Sequence, residues 1–501
     1  MGLFSEILAL EWMDTRGVLI FIFVFLILAD YLRNRSPSDF PPGPWTLPII
    51  RDTYRVDPNK MHLNFEEFAG KYGPIFSIQI LGVRVVVVNG YKLMREVLVK
   101  RGEDYTDRPI IPIIYDVNET KGIVCLLLSS GNSWKQQRRF ALYTLRNFGL
   151  GKTRLEPTIQ QECQYLIESF AQQQGAPSNP RTALIKAISN IISCLLFGKR
   201  FEYTDKKHQS IVEDFHELVK LQGGRGAMLY NTFPWLVKHF PGPHRGVFTL
   251  TRRVLSYIEE RVEEHRVDHD PSLPRDYIDC FLTEMLKNEA PESRFDIENL
   301  SVCTLDLFVA GTETTTTTLH WGLLFMTYYP DIQKKVHAEL DTVVGSSRQP
   351  SMSDRDSTPY TYAVIQETQR MGNILPLNIA RMTTRETHIG KYTLPKGTVV
   401  MATLNSVLRD ETMWETPHSF NPQHFLDQDG QARNREAFLP FSAGKRVCPG
   451  EQLARMELYL FFTSLLQRFS FSSPPGEKLS LDSAFAFINC PQPFRLCATP
   501  R

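Results

Sequence analysis

The chain has 501 residues, far more than one small hydrophobic core requires, and a prior of roughly 150 residues per domain would divide it in three. Lys and Arg number 56 against 55 Asp and Glu, a formal net charge of +1, so no global field points to nucleic acid and any charged docking surface must be local. The eight cysteines are scattered, with no CxxC pair. That argues against a zinc site and a small disulfide scaffold, and leaves most of them as small buried hydrophobes in a reducing compartment.

From the N-terminus, Gly17–Ala29 (GVLIFIFVFLILA) carries no charge. Thirteen helical residues reach about 20 Å against a hydrocarbon core of about 30 Å, and extension to Leu32 gives about 24 Å. Snorkelling by Arg16 and Arg33 and a thin endoplasmic reticulum bilayer close part of the gap. A cleaved signal peptide has an apolar region of this length, but the preceding segment is acidic (Glu6, Glu11, Asp14) and no small-x-small site stands before Arg33. Residues 1–35 therefore read as an uncleaved membrane anchor. Arg33 and Arg35 follow the span, and positive charge stays cytosolic, so the rest of the chain is expected to face the cytosol. The sequons Asn118-Glu119-Thr120 and Asn299-Leu300-Ser301 are then chance matches. Residues 36–46 contain Pro41-Pro42-Gly43-Pro44, a stiff hinge whose prolines cannot continue a helix. Residues 47–501 read as one domain, because the Pro/Gly/Ser-rich stretches within them are of loop length.

Ile75–Ile80 and Val83–Val88, rich in β-branched residues, flank Leu81-Gly82 in a hairpin pattern. A second β signal lies at Tyr392–Thr403, around Pro395-Lys396-Gly397. Elsewhere the periodicity is helical, over 153–173, 183–196, 208–222, 247–266, 298–328, 331–344, 358–371 and 450–469. The fold class is mainly α with a minor β region.

The segment Phe441-Ser442-Ala443-Gly444-Lys445-Arg446-Val447-Cys448-Pro449-Gly450 precedes the last helix. Pro449 suits the first helical position, so Cys448 stands at or next to the N-cap, where unpaired N–H groups and partial positive charge favour thiolate over thiol. Gly444 and Gly450 let the backbone approach a large planar ligand, and Arg446 can pair with a carboxylate. Taken alone, a Cys at a helix start is more often structural than a ligand. The spacing Phe-x-x-Gly-x-Arg-x-Cys-x-Gly, however, resembles the cysteine-ligand loop of the cytochrome P-450 superfamily at every position. The resemblance implies the cytochrome P-450 fold and haem b (iron protoporphyrin IX) with Cys448 as axial ligand of the iron. Thiolate ligation pushes electron density onto iron and favours O–O cleavage.

Three further constellations stand in family order. In Ala310-Gly311-Thr312-Glu313-Thr314-Thr315, the positions Leu307, Ala310/Gly311, Thr314 and Thr318 share one helix face. Ala310 and Gly311 keep that face low and leave room for a ligand; Thr314 puts a hydroxyl on it. By itself a Thr run in a helix is a packing detail. The pattern is similar to the family's oxygen-activation motif, which implies that Thr314 organises a water and Glu313 feeds protons to it. Glu367-Thr368-Gln369-Arg370 alone is a surface ion pair worth about 0.2–0.5 kcal/mol. Its position resembles the family's structural ExxR, which implies a buried network completed from Pro417-x-x-Phe420-x-Pro422-x-x-Phe425. Many family members carry Arg before the last Phe; this chain has His424, which can still donate a hydrogen bond. Trp134 and Arg138 lie one helical turn apart, and the resemblance implies that they and Arg381 bind haem propionates.

The resemblance runs from the hinge to the C-terminus. Trp134–Lys152, Leu229–His244 and Gln369–Asn378 make it most similar to family 2 of the vertebrate superfamily and its J-type subfamily. It implies a monooxygenase inserting one oxygen atom from O2 into lipophilic substrates, polyunsaturated fatty acids such as arachidonate (epoxidation or hydroxylation) and some xenobiotics. Its substrate-contacting regions map onto the Ile113–Ile123 loop, residues 216–240, the Thr helix (Leu307, Ala310), Ile374–Ile379 (Leu375, Ile379) and Phe485–Ile488 (Phe487). No flavin or nicotinamide fingerprint stands in the chain, so electrons must come from a partner. The resemblance implies NADPH–cytochrome P-450 reductase, with cytochrome b5 as a second donor. Lys135, Arg139, Arg146, Lys445 and Arg455 are the candidates for docking its acidic face. Two rival readings use the same motifs. One is a lipid-peroxide isomerase or dehydratase, which often lacks the acid–Thr pair kept here as Glu313 and Thr314. The other is a non-catalytic membrane haem- or lipid-binding protein.

Overall fold

A computed structural model describes residues 15–33, 37–47, 51–80, 83–117, 126–148, 155–287, 294–485 and 487–501. Labels α1 to α12 go to the helices of ten residues or more. These are α1 Thr15–Arg33, α2 Met61–Tyr72, α3 Gly131–Asn147, α4 Glu156–Ala171, α5 Pro180–Phe197 and α6 Lys206–Gln222. They continue with α7 His244–Val267, α8 Tyr277–Lys287, α9 Ile297–Tyr328, α10 Pro330–Val343, α11 Pro359–Gly372 and α12 Glu451–Arg468. The fold is mainly helical, with small sheets.

Helix α9 is the axis of the core. Its N-cap Asp296 accepts from the Asn299 N–H, and nearly every residue from Thr312 to Thr327 is buried. It lies along α5 and also meets α7, α11 and α12. Leu184, Ile188, Ile191 and Ile192 of α5 share one apolar cluster with Phe308 and Leu319 of α9 and Phe461 and Leu465 of α12. Asn299 is buried and bonded to Asp296, so its sequon offers no glycan acceptor. The other sequon, at Asn118, lies outside the described residues.

Strands β1 (Ile75–Ile80) and β2 (Val83–Val88) pair antiparallel, Ile75 opposite Val88 and Ile80 opposite Val83, as the hairpin pattern predicts. The Tyr392–Thr403 segment divides between two sheets. With β3 Arg381–Met382, β4 Thr387–Ile389, β5 Tyr392–Leu394 and β6 Val399–Ala402, the pairs are β4 with β5 and β6 with both β2 (parallel) and β3 (antiparallel). Gly397, at φ +82°, makes the turn that separates the two halves. The proline segment is docked on β1 rather than free. Pro42 O accepts from Ser77 N at 2.7 Å and Pro41 O from Ser77 Oγ at 2.8 Å.

Among the described residues, one helix is long and apolar enough to cross a membrane and a shorter apolar run lies at Gly17–Asp30, and packing tells them apart. Helix α5 has the length and composition, but 67% of it is buried inside the fold. Helix α1 turns its apolar side chains outward, Leu19 being 61% and Phe21 71% exposed. Its 19 residues extend roughly 28 Å, longer than the apolar run alone predicts.

Candidate active site

The Phe441–Gly450 loop is closed by a hydrogen bond from Cys448 N to Phe441 O (3.0 Å) and turned by Ser442 and Gly444, at φ +64° and +75°. Gly450 is the N-cap of α12, so Pro449 precedes the helix instead of opening it, and Cys448 stands two residues before the N-cap. Backbone N–H groups of Gly450 and Glu451 donate to the sulfur, and the Arg138 guanidinium also favours thiolate. Burial is the larger effect and pushes the thiol up, so a thiolate here needs a positive partner on the cavity side. Backbone packing places its own demand on one of the two glycines. A Cβ on Gly444 would run into the Leu98 carbonyl oxygen, while one on Gly450 would meet only the Cys448 sulfur at 4.0 Å. Gly444 is therefore required by backbone packing and by its φ.

Behind this loop lies a mostly apolar cavity. Its lining joins Phe441, Cys448, Pro449 and Gly450 of the loop to Leu307, Ala310, Gly311, Thr314 and Thr318 of α9. Ile192 and Leu195 of α5 and Ile374, Leu375 and Ile379 ahead of β3 complete it. Of the substrate positions expected from sequence, Leu307, Ala310, Leu375 and Ile379 are brought together here. Phe487 is not: it is 47% exposed, outside the cavity lining, between the strands Ser483–Phe485 and Asn489–Pro491. A Cβ on Gly311 would lie 2.5 Å from Ile192 Cδ1, so that glycine sets the approach of α9 to α5 as well as the cavity floor. Thr314 Oγ1 donates to Ala310 O at 2.7 Å, parking the hydroxyl on its own helix.

Four guanidinium groups gather beside the loop. Arg108, Arg138 and Arg446 line the cavity, and Arg381 is buried next to them. Arg446 Nε donates to Thr106 O (2.9 Å) and Nη2 to Ser129 O, but Nη1 is buried without a partner. Arg381 Nη2 donates to Ala443 O (3.1 Å), and its Nε and Nη1 are buried and unpartnered. So is Trp134 Nε1, whose ring lies 3.4 Å beneath the Arg446 guanidinium. Burial, reinforced by Arg108 and Arg138, pushes Arg381 down to about 9; burial with Arg108, Arg381 and Arg138 pushes Arg446 to about 8. Cations so crowded, with donors unspent, form a site for an anionic group.

Glu313 faces away from the cavity. Its carboxylate is buried and receives Arg181 Nη2 at 2.7 and 3.0 Å, with His216 Nδ1 at 3.2 Å. Those partners, led by His216 and Arg181, hold it below the ordinary carboxylate range against the opposing effect of burial. Adjacent positions on a helix point about 100° apart, so Thr314 and Glu313 do not share a face.

The sequence as a whole matches the cytochrome P450 family over residues 41–498. The chain belongs to the cytochrome P450 family. Cytochrome P450 2J2 of Homo sapiens is 46% identical to it, across 97% of this chain and 96% of the relative. Cytochrome P450 2J1 of Oryctolagus cuniculus is 46% identical across 95% and 94%, and cytochrome P450 2D6 of Homo sapiens 43% across 99% and 100%. The similarity is thus of J type, with the D-type relatives next. Membership makes the chain an oxidoreductase of the monooxygenase class, and the family implies haem, O2 and electrons from a reductase partner.

The ExxR network of this P450 is complete despite its altered member. Arg370 donates to both Glu367 oxygens at 2.7 Å and to the carbonyls of Leu408, Pro417 and Ser419. Asn421 N–H adds a bond to Glu367 at 2.7 Å. His424 Nε2 meets the Thr416 N–H, which can only donate, at 3.2 Å. Its proton therefore sits on Nδ1, which reaches Glu367 at 3.2 Å. Sequence reasoning missed Arg108, Arg181 and His216. Arg108 sits in a loop without periodicity, and the other two meet Glu313 only through tertiary packing.

Of the expected docking cations, Lys135, Arg139 and Arg146 are exposed on α3. Lys445 is paired with Glu103 (2.7 Å) and Arg455 with Glu451 (2.9 Å).

Proposed function

We propose that this P450 is a membrane-anchored monooxygenase of lipophilic substrates, polyunsaturated fatty acids such as arachidonate and some xenobiotics, with haem b in the cavity and Cys448 on its iron. The observation that carries the reading is one cavity lined by a lone thiol and by guanidiniums whose donors are unspent. The residues present fit the group: its anionic propionates would take up Arg446 Nη1, Arg381 Nε and Nη1, and Trp134 Nε1, with Arg138 beside them. Its iron would supply the positive partner that a buried Cys448 thiolate needs. When bound, haem supplies reductive activation of O2, so that one oxygen atom can enter a C–H or C=C bond.

The chain's own residues bind, orient and hold protons. The apolar lining from Leu307, Leu375 and Ile379 excludes water and grips an oily chain. Ala310 and Gly311 keep α9 low along the cavity, which would leave room for haem. The Thr314 hydroxyl turns from Ala310 O to hold a water in the cavity. Glu313 reaches that water only after releasing Arg181 and taking up a proton from solvent, which makes it a gated proton relay. Glu367, Arg370 and His424 hold the segment leading to the Cys448 loop.

Helix α1, with outward apolar side chains, supports a single anchor (1–35) in the endoplasmic reticulum membrane. The hinge (36–46) and the catalytic domain (47–501) follow on the cytosolic side. Lys135, Arg139 and Arg146 on α3 form the docking face for NADPH–cytochrome P-450 reductase, with cytochrome b5 as a second donor. The test is turnover with reductase, NADPH and arachidonate. Oxygenated fatty acids that depend on NADPH and O2 are expected. Rearrangement of lipid hydroperoxides without either would mark an isomerase, and no product from any lipid would mark a binding protein.

A further inference from the structure

A second glutamate borders the cavity in a state opposite to that of Glu313. Glu457 of α12 lines the cavity and is only 1% exposed. Its Oε2 accepts from Thr315 Oγ1 at 3.1 Å, and its Oε1 has no hydrogen-bond partner. No cation pairs with it among the described residues. From α4 come Glu162, spent on Arg200, and the Cys163 thiol, whose own proton is held firmly by burial. From α9 come Thr315 and Glu313, the latter spent on Arg181. On α11, Glu367 and Arg370 bind each other, and Asp354 of the Met352–Ser357 turn binds Arg348. Arg108, Arg138 and Arg446 line the same cavity without pairing with it.

A carboxylate buried without a cation is costly, and the group keeps its proton instead. Burial holds Glu457 up to about 8 against the Thr315 hydrogen bond. Since the Thr315 hydroxyl donates to Oε2, the acid proton belongs on Oε1, the atom left without a partner. Two carboxyls in opposite charge states thus serve one turn of α9, an arrangement that divides acid from base roles.

We infer that Glu457 is a proton-holding and positioning residue of this site: a neutral carboxyl that acts through Thr315 and offers an O–H to the cavity, while Glu313, paired with Arg181, is the resting carboxylate of the same turn. The inference goes beyond the proposed function and rests on its reading of the cavity as the haem site. A proton leaving Oε1 passes to a water in the cavity, the resulting carboxylate is stabilised by the Thr315 O–H, and a proton from solvent restores it. No electron moves in this step.

The test is the carboxylic-acid C=O stretch of the full-chain holoenzyme, followed by infrared difference spectroscopy through a pH titration. A band that disappears with a midpoint near 8 is expected. It is lost in Glu457→Gln and retained in Glu313→Gln. In Thr315→Val its midpoint moves to higher pH, because the hydrogen bond that favours the charged form is gone. A wild-type protein without such a band, or a band that survives Glu457→Gln, overturns the inference. Should Glu457→Gln not fold, an unmoved midpoint in Thr315→Val overturns it instead. The share of consumed O2 recovered as product should fall above pH 8 in the wild type and stay flat in Glu457→Gln; an unchanged profile in the variant refutes the proton-holding role. The haem-site reading is read separately, from the thiolate spectrum of Cys448.

Discussion

Replacing Glu367 by Ala removes the acceptor at the centre of a network in which both members of the ion pair are 0% exposed. Arg370 keeps its three carbonyl partners but loses its Glu367 counter-charge and two bonds of 2.7 Å. The Asn421 N–H and His424 Nδ1 are stranded with it. Breaking a buried pair from one side costs about 3–5 kcal/mol, and each stranded donor adds about 1–3 kcal/mol where water does not enter. These contributions are not additive, so we expect a loss of at least about 4 kcal/mol, roughly a thousandfold in the folding equilibrium. A domain stable by about 5–15 kcal/mol can barely carry that. The comparison is Glu451→Ala, which breaks the Arg455 pair, with partners 27% and 32% exposed, and should cost about 0.2–1 kcal/mol. Urea unfolding followed by far-ultraviolet circular dichroism gives both values. A Glu367→Ala protein within about 1 kcal/mol of Glu451→Ala would refute the argument that this network holds the segment leading to Cys448.

Gly444→Ala drives a methyl group into the Leu98 carbonyl at a positive φ, and overpacking of that kind costs about 1–3 kcal/mol; haem content per chain after purification should fall with it. Arg446→Met removes a buried cation with an unspent donor, so the haem-free chain should melt higher while haem is released faster, opposite signs that a merely structural arginine would not give. Glu457 loses its proton near 4.5 when unfolded and near 8 when folded, so the folded chain holds the extra proton between those values. Stability should therefore decline as pH rises across that window, and Glu457→Gln should flatten the slope in a series of urea titrations.

Helices were legible where an apolar stripe ran unbroken between clear caps. The periodicity over 298–328 and 183–196 falls on α9 and α5, which start at Asp296 and at Asn179-Pro180. Helices α2 and α8 were not read. Buried His62 interrupts the apolar face of the first, and buried Asp279, spent on Arg275, that of the second. The parallel pairing of β2 with β6 joins residues about three hundred positions apart, and nothing local announces it. At the site, the resemblance of the motifs to the cytochrome P-450 family picked out Cys448, Thr314, Glu367 and Arg370. It could not say that Glu313 points to Arg181, that Gly444 answers to Leu98, or that Phe487 stays outside the cavity, because each depends on what packs against the residue. His424 is the opposite case. One imidazole suffices where an arginine is usual, since Thr416 occupies the nitrogen that Glu367 does not.

The assignment of Cys448 as the haem ligand is tested most directly by the carbon monoxide spectrum of the reduced protein. The wild-type chain should give the Soret band of a thiolate-ligated haem, and Cys448→Ser should lose it while the fold persists. A thiolate-type band retained by Cys448→Ser, or absent from the wild-type chain, would contradict the account.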